Sequence, residues 1–119
     1  SGLGSGAVIV MDETTCMVRV CHRISRFYKA ESCGQCTPCR EGTGWMHRVL
    51  TRIVEGKGTQ EDLHRLKAIA GQIEGHTICA FGEAAAWPVQ GFLNRFWNEF
   101  EYFVQHGHSI VDSREEVTA

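Results

Sequence analysis

No stretch of the 119-residue sequence approaches the ~20 consecutive apolar residues that a membrane-spanning helix needs. The opening "SGLGSGAVIVMDE" lacks the basic start and long apolar core of a secretory signal. Prolines number only two, and no repeat or low-complexity segment interrupts the chain. Clustered Lys and Arg are also missing: the formal net charge is −2, so nucleic acid and anionic membrane surfaces are not expected partners. With no sign of export, the six cysteines read as intracellular thiols rather than a disulfide framework.

What remains is an ordinary globular composition, 43% hydrophobic and 22% charged, sufficient for one compact domain. "AVIVM", a β-branched run ending at Asp12, predicts a single strand, which cannot stand alone and needs a partner. Helical periodicity takes over from there. Met17, Val20, Cys21, Ile24, Phe27 and Tyr28 share one helical face, with Thr14 or Thr15 as N-cap. Trp45, Met46, Val49, Leu50 and Ile53 repeat the pattern until "EGKG". Thr59 with Asp62 forms a capping box for a third helix through Leu63, Leu66, Ala70 and Ile73, closed at Gly75. Pro88 is expected in the first turn of a fourth helix whose apolar side is Val89, Phe92, Leu93, Phe96, Phe100 and Phe103. The chain from Gly107 onward is expected to be a loose polar tail. Four helices on short connections predict a mainly α fold, a four-helix bundle.

The chemistry concentrates in "ESCGQCTPCREGTGW", residues 31–45, where Cys33, Cys36 and Cys39 stand at two equal intervals. Three thiols so spaced converge only if the backbone wraps around a central object. Gly34 eases that turn, and Pro38 leads Cys39 into the second helix. Loop N–H groups and a helix N-terminus both favour the negative charge of thiolates. Arg40 and Lys29 can add positive charge nearby. The fourth donor is sought at Cys79. In an antiparallel bundle the loop after the third helix lies at the same end as the loop after the first, so the topology carries Cys79 to the other three. Structural zinc usually takes two separated ligand pairs. Three cysteines at x₂, x₂ with a distant fourth is a common way of holding a [4Fe–4S] cluster. Zinc and redox-active thiols stay open on spacing alone.

Other features receive plainer readings. "GLGSGA" precedes a strand rather than following one, so it is a loop and not a dinucleotide fingerprint. Cys21 reads as core packing and Cys16 as an incidental thiol. His76 reads as a helix-end residue, and Trp45, Trp87 and Trp97 read as core.

"YKAESCGQCTPCREGTGWM" and "GHTICAFGEAAAWPVQGF" resemble the C-terminal part of the NADH- and FMN-binding flavoprotein of respiratory complex I, the F subunit of NADH-quinone oxidoreductase. Similar segments occur in diaphorase subunits of NAD-reducing hydrogenases and formate dehydrogenases. The resemblance implies a helical domain, residues 14–106, holding one [4Fe–4S] cluster on Cys33, Cys36, Cys39 and Cys79. Residues 1–13 would be the end of a ubiquitin-like (SLBB) domain, and residues 107–119 a flexible tail. It further implies electron entry from FMN, reduced by NADH, both bound in an N-terminal part absent from this sequence. Onward transfer would run through further clusters toward quinone. The chain alone is then not expected to oxidise NADH. Expected partners are the peripheral-arm subunits of complex I, above all neighbouring iron–sulfur subunits, with no nucleic acid and no membrane insertion. The expected place is the cytoplasmic face of the plasma membrane, or the matrix side in mitochondria. A last expectation is that the turn around Ile78, Cys79 and Ala80 faces the flavin.

Overall fold

A computed structural model describes residues 6–112 of the chain. The bundle is made by α1 (Met17–Glu31), α2 (Thr37–Val54), α3 (Gln60–Ile73) and α4 (Phe81–His106). Each helix packs on its neighbour in sequence, and α1 closes the ring against α4. The result is the expected bundle, mainly α.

The second and third helices follow their sequence signals closely. On α2 the buried positions are Cys39, Gly42, Thr43, Met46, Leu50 and Ile53, one continuous stripe at helical spacing. Thr59 begins α3 with a capping box: its side chain accepts the Asp62 N–H, and the Asp62 carboxylate accepts the Thr59 N–H. Leu63, Leu66, Ala70 and Ile73 then point inward. The centre of the bundle is built where Met46, Leu50, Leu63, Leu66, Leu93, Phe100 and Phe103 are shut away from solvent.

Elsewhere the structure corrects the expectations. The run Ala7–Met11 is not a strand; no strand occurs among the described residues, and Val10 is 90% exposed. Among the described residues no second strand lies beside the run to accept from its N–H groups and donate to its C=O groups. Residues 1–5 of the expected domain remnant lie outside the described residues. The N-cap of α1 is Cys16 rather than a threonine, because the Asp12 carboxylate engages Thr14 in a turn just before the helix. The buried stripe of α1 is rotated from the expected one: Val18, Cys21 and Ser25 are inside while Phe27 faces out.

The largest shift concerns α4. It begins at Phe81, seven residues ahead of Pro88, which sits inside the helix. Proline supplies no N–H there, so the Ala84 carbonyl goes without its i+4 partner, within a run of the strong helix formers Ala84–Ala86. A separate break in helical geometry falls at Phe96 (φ −123°, ψ 30°). Past the Gly107 cap, residues 107–112 are not loose: Ser109 and Val111 are buried, and Asp112 pairs with Arg19 at 2.8 Å. The remaining tail, 113–119, lies outside the described residues. Two of the three tryptophans expected in the core are half-exposed, Trp45 at 52% and Trp87 at 47%.

Candidate metal centre

The loop between α1 and α2 is short and held from both sides. Its first residue, Ser32, caps α1 by donating its N–H to the Tyr28 carbonyl. Gly34 takes φ +79°, a left-handed conformation that glycine adopts without strain. Arg40 clamps the turn by donating to the Gly34 carbonyl (2.8 Å) and to the Thr37 hydroxyl (3.3 Å). Cys36 is the N-cap of α2, and Pro38 lies in its first turn, where the missing N–H costs nothing. Cys39 follows on the same turn, buried, with its own carbonyl accepting from the Thr43 hydroxyl at 2.7 Å.

Cys79 arrives on the other loop. Glu74 ends α3, and the Glu83 carboxylate of α4 reaches back to accept the Gly75 N–H at 2.8 Å. His76 donates from Nδ1 to the Glu74 carbonyl, the helix-end role expected of it. The Thr77 hydroxyl donates to the Cys79 carbonyl at 2.8 Å and lies directly over Gly82. A β-carbon on Gly82 would run into the Thr77 side chain, so only glycine fits. The edge contact of Tyr28 with Phe81, 5.4 Å between ring centroids, ties the end of α1 to the start of α4.

These two loops meet at one end of the bundle. Cys33, Cys36, Cys39 and Cys79 line a single cavity of about 360 Å³, together with Glu31, Ser32, Gln35, Ile78 and Phe81. Cys33 and Cys79 are exposed, Cys36 half-buried and Cys39 buried, so the cavity is open to solvent on the Cys33–Cys79 side. Among the described residues no three His, Cys, Asp or Glu side chains already close around a point the size of one ion. The first turn of α2 adds the positive end of a helix dipole beneath Cys39. Four thiols around one open cavity are a donor set that suits a thiolate-held metal group.

The other two cysteines are elsewhere. Cys21 is sealed in the core, where burial pushes its thiol up to about 12 and keeps it protonated. Cys16, expected as an incidental thiol near the helix start, is buried in the same core. Ser32 and Arg40 are the site residues that sequence patterns did not single out in these roles. Ser32 touches Cys39 across seven residues of sequence, Sγ to Oγ 3.1 Å, a contact no periodicity reveals.

Fold and cavity together define a class: a helical domain that gathers four thiols from two loops at one end. The chain belongs to the family of the NADH-ubiquinone oxidoreductase-F iron-sulfur binding region, which matches residues 19–103. The cofactor of this region is a [4Fe–4S] cluster. The chain is 56% identical over 101 residues to the F 1 subunit of NADH-quinone oxidoreductase from Rhizobium meliloti, covering 85% of this chain and 23% of that protein. It is 55% identical over 111 residues to the F subunit of NADH-quinone oxidoreductase from Rickettsia rickettsii, covering 93% of this chain and 26% of that one. Among solved structures it is similar to a chain of an NAD⁺-reducing [NiFe]-hydrogenase, with TM-score 0.77, 34% identity, and coverage of 82% of this chain and 17% of that one. The chain therefore spans about a quarter of the length of the curated relatives it matches.

Proposed function

We propose that Cys33, Cys36, Cys39 and Cys79 hold the [4Fe–4S] cluster and that the chain relays single electrons within an NADH-oxidising complex. The observation that carries this is the shared cavity: four thiols from two loops line one space of about 360 Å³. Three cysteines at x₂, x₂ with a distant fourth, in a chain of an iron-sulfur binding family, favour the cluster over zinc, which usually takes two separated ligand pairs.

When bound, the cluster supplies one-electron acceptance and release. The chain's own residues do the rest. Gly34 and the Arg40 clamp shape the turn that presents Cys33 and Cys36. The α2 N-terminus offers positive potential to the thiolates. Burial of Cys39 and the flanking Phe81 keep water from the inner side. On the outer side, Ile78 stands 75% exposed beside Cys79 and Ala80, which suits an approach by the electron donor. That donor is FMN reduced by NADH, both carried by other parts of such a protein. Electrons then leave for the clusters of neighbouring peripheral-arm subunits and finally quinone. Among the described residues no helix is long and apolar enough to cross a membrane, in keeping with a peripheral position. Identity of 53–56% to quinone-reductase relatives, against 34% to the hydrogenase chain, favours the complex I setting over a hydrogenase or formate dehydrogenase diaphorase.

The test is anaerobic loading of the protein with iron and sulfide, followed by metal analysis and EPR after chemical reduction. About four irons per chain, with a reduced-cluster signal lost in Cys79→Ser, is the expected result. One zinc per chain and no signal would make this a structural zinc domain.

A further inference from the structure

Ser32 makes two separate contacts at the thiol cavity. Its backbone closes α1, the N–H donating to the Tyr28 carbonyl, which fixes the residue at φ −60° and ψ 129°. Its hydroxyl is left to reach across the loop to Cys39, with Oγ 3.1 Å from Sγ. Cys39 is the buried member of the four, so that hydroxyl meets a sulfur largely screened from competing water. In the thiol form either atom can donate. A thiolate bound to iron carries no proton and can only accept, so once Cys39 is a ligand the direction of the bond is fixed: Ser32 donates.

Hydrogen bonds to ligand sulfurs set cluster potentials because they favour the state with more negative charge on the sulfurs, the reduced one. A donor facing a buried sulfur acts in a low-dielectric setting, where it counts for more than it would in water. We propose that the Ser32 hydroxyl is a positioning and tuning residue that raises the reduction potential of the cluster through Cys39. The proposal rests on Cys39 being a ligand.

The test compares Ser32→Ala, Ser32→Thr and Ser32→Val in the purified, iron-loaded protein, read by EPR-monitored redox titration with iron analysis alongside. Thr keeps the hydroxyl; Val has the same shape without it. All three retain the backbone N–H that caps α1, so helix closure is preserved. The expected result is full iron content in each. At a fixed ambient potential near the midpoint, the reduced-to-oxidised ratio should fall about three- to tenfold in the Ala and Val variants, tenfold corresponding to about 59 mV for one electron. Thr should stay near the parent protein. Equal midpoints in all four proteins, or Thr shifting as far as Val, would overturn the tuning role. So would loss of iron in Ala and Val with retention in Thr, which would assign the hydroxyl to assembly instead. Cys39→Ala, which offers no donor atom, separates this from the reading beneath it: full four-iron loading in that variant would remove Cys39 as a ligand, whatever the Ser32 series shows.

Discussion

At the α2–α3 end of the bundle the chain satisfies itself. Thr59 and Asp62 cap each other's backbone, and the buried Asp62 carboxylate also lies 3.5 Å from the Arg52 guanidinium. Gly56 packs against Gly107 at the end of α4, and Arg19 reaches Asp112. At the opposite end the loops are equally well tied, by Arg40 on Gly34 and Glu83 on Gly75, yet they enclose a cavity rather than side chains. Four thiols line it, two of them exposed. On the proposed reading the contrast is between an end completed by a bound cluster and an end finished by the protein's own hydrogen bonds.

Substitutions at the two ends should separate their roles. The largest effect is expected at the cavity: Cys39→Ser should abolish four-iron loading while circular dichroism still shows the helices, because α2 and the core beyond Thr43 stand without the thiol. Phe100→Ala, in the closed half, should do the reverse, costing about 3–5 kcal/mol in denaturant unfolding while leaving iron stoichiometry intact in the folded protein. Gly82→Ala drives a β-carbon into Thr77 and should cost about 1–3 kcal/mol, with displacement of the Cys79 turn visible as weakened iron retention against a chelator. Thr59→Ala removes one half of the capping box and should cost about 1 kcal/mol, with no change in iron binding.

The smallest effect concerns pH. His22 on α1 and His47 on α2 stack with ring centroids 5.0 Å apart. Burial, then the Arg26 guanidinium, holds His22 below its ordinary 6.5, with Glu55 opposing. Burial, then His22, Lys29 and Arg26, holds His47 below the same value. Both rings bind protons more readily in the unfolded chain, so their stability contribution is intact above pH 6.5 and is lost as pH falls through the depressed folded values. The denaturation midpoint should therefore drop between about pH 7 and pH 5, and His47→Gln should flatten the drop. A midpoint as steep in that variant as in the parent would exclude the pair as its source.

Much of this was legible in the sequence, for identifiable reasons. Met46, Leu50 and Ile53 fall on a strict helical period, and Thr59 with Asp62 is a local signal whose partners sit three residues apart. Cys79 was placed by topology, since two odd-numbered connections of an antiparallel bundle share an end. What escaped depends on distance through space or on context. Pro88 is favoured in a first turn and costly inside a helix, so the local signal pointed to the wrong start, and the helix runs back through the buried Gly82 and Ala85 to Phe81. Trp45 carries the periodicity of a core residue but lines the outer groove between α2 and α3. Val111 is covered because Gly107 turns the chain back, which its polar neighbours conceal. Ser32 meets Cys39 only because one helix ends where the next begins.

The most direct test is thiol alkylation mapped by mass spectrometry, under native conditions, before and after iron and sulfide loading. Cys33 and Cys79 should react readily in the unloaded protein and become protected on loading, together with Cys36 and Cys39, while Cys16 and Cys21 stay unreactive in both. Continued alkylation of Cys79 in protein carrying its full complement of iron would contradict the four-thiol site.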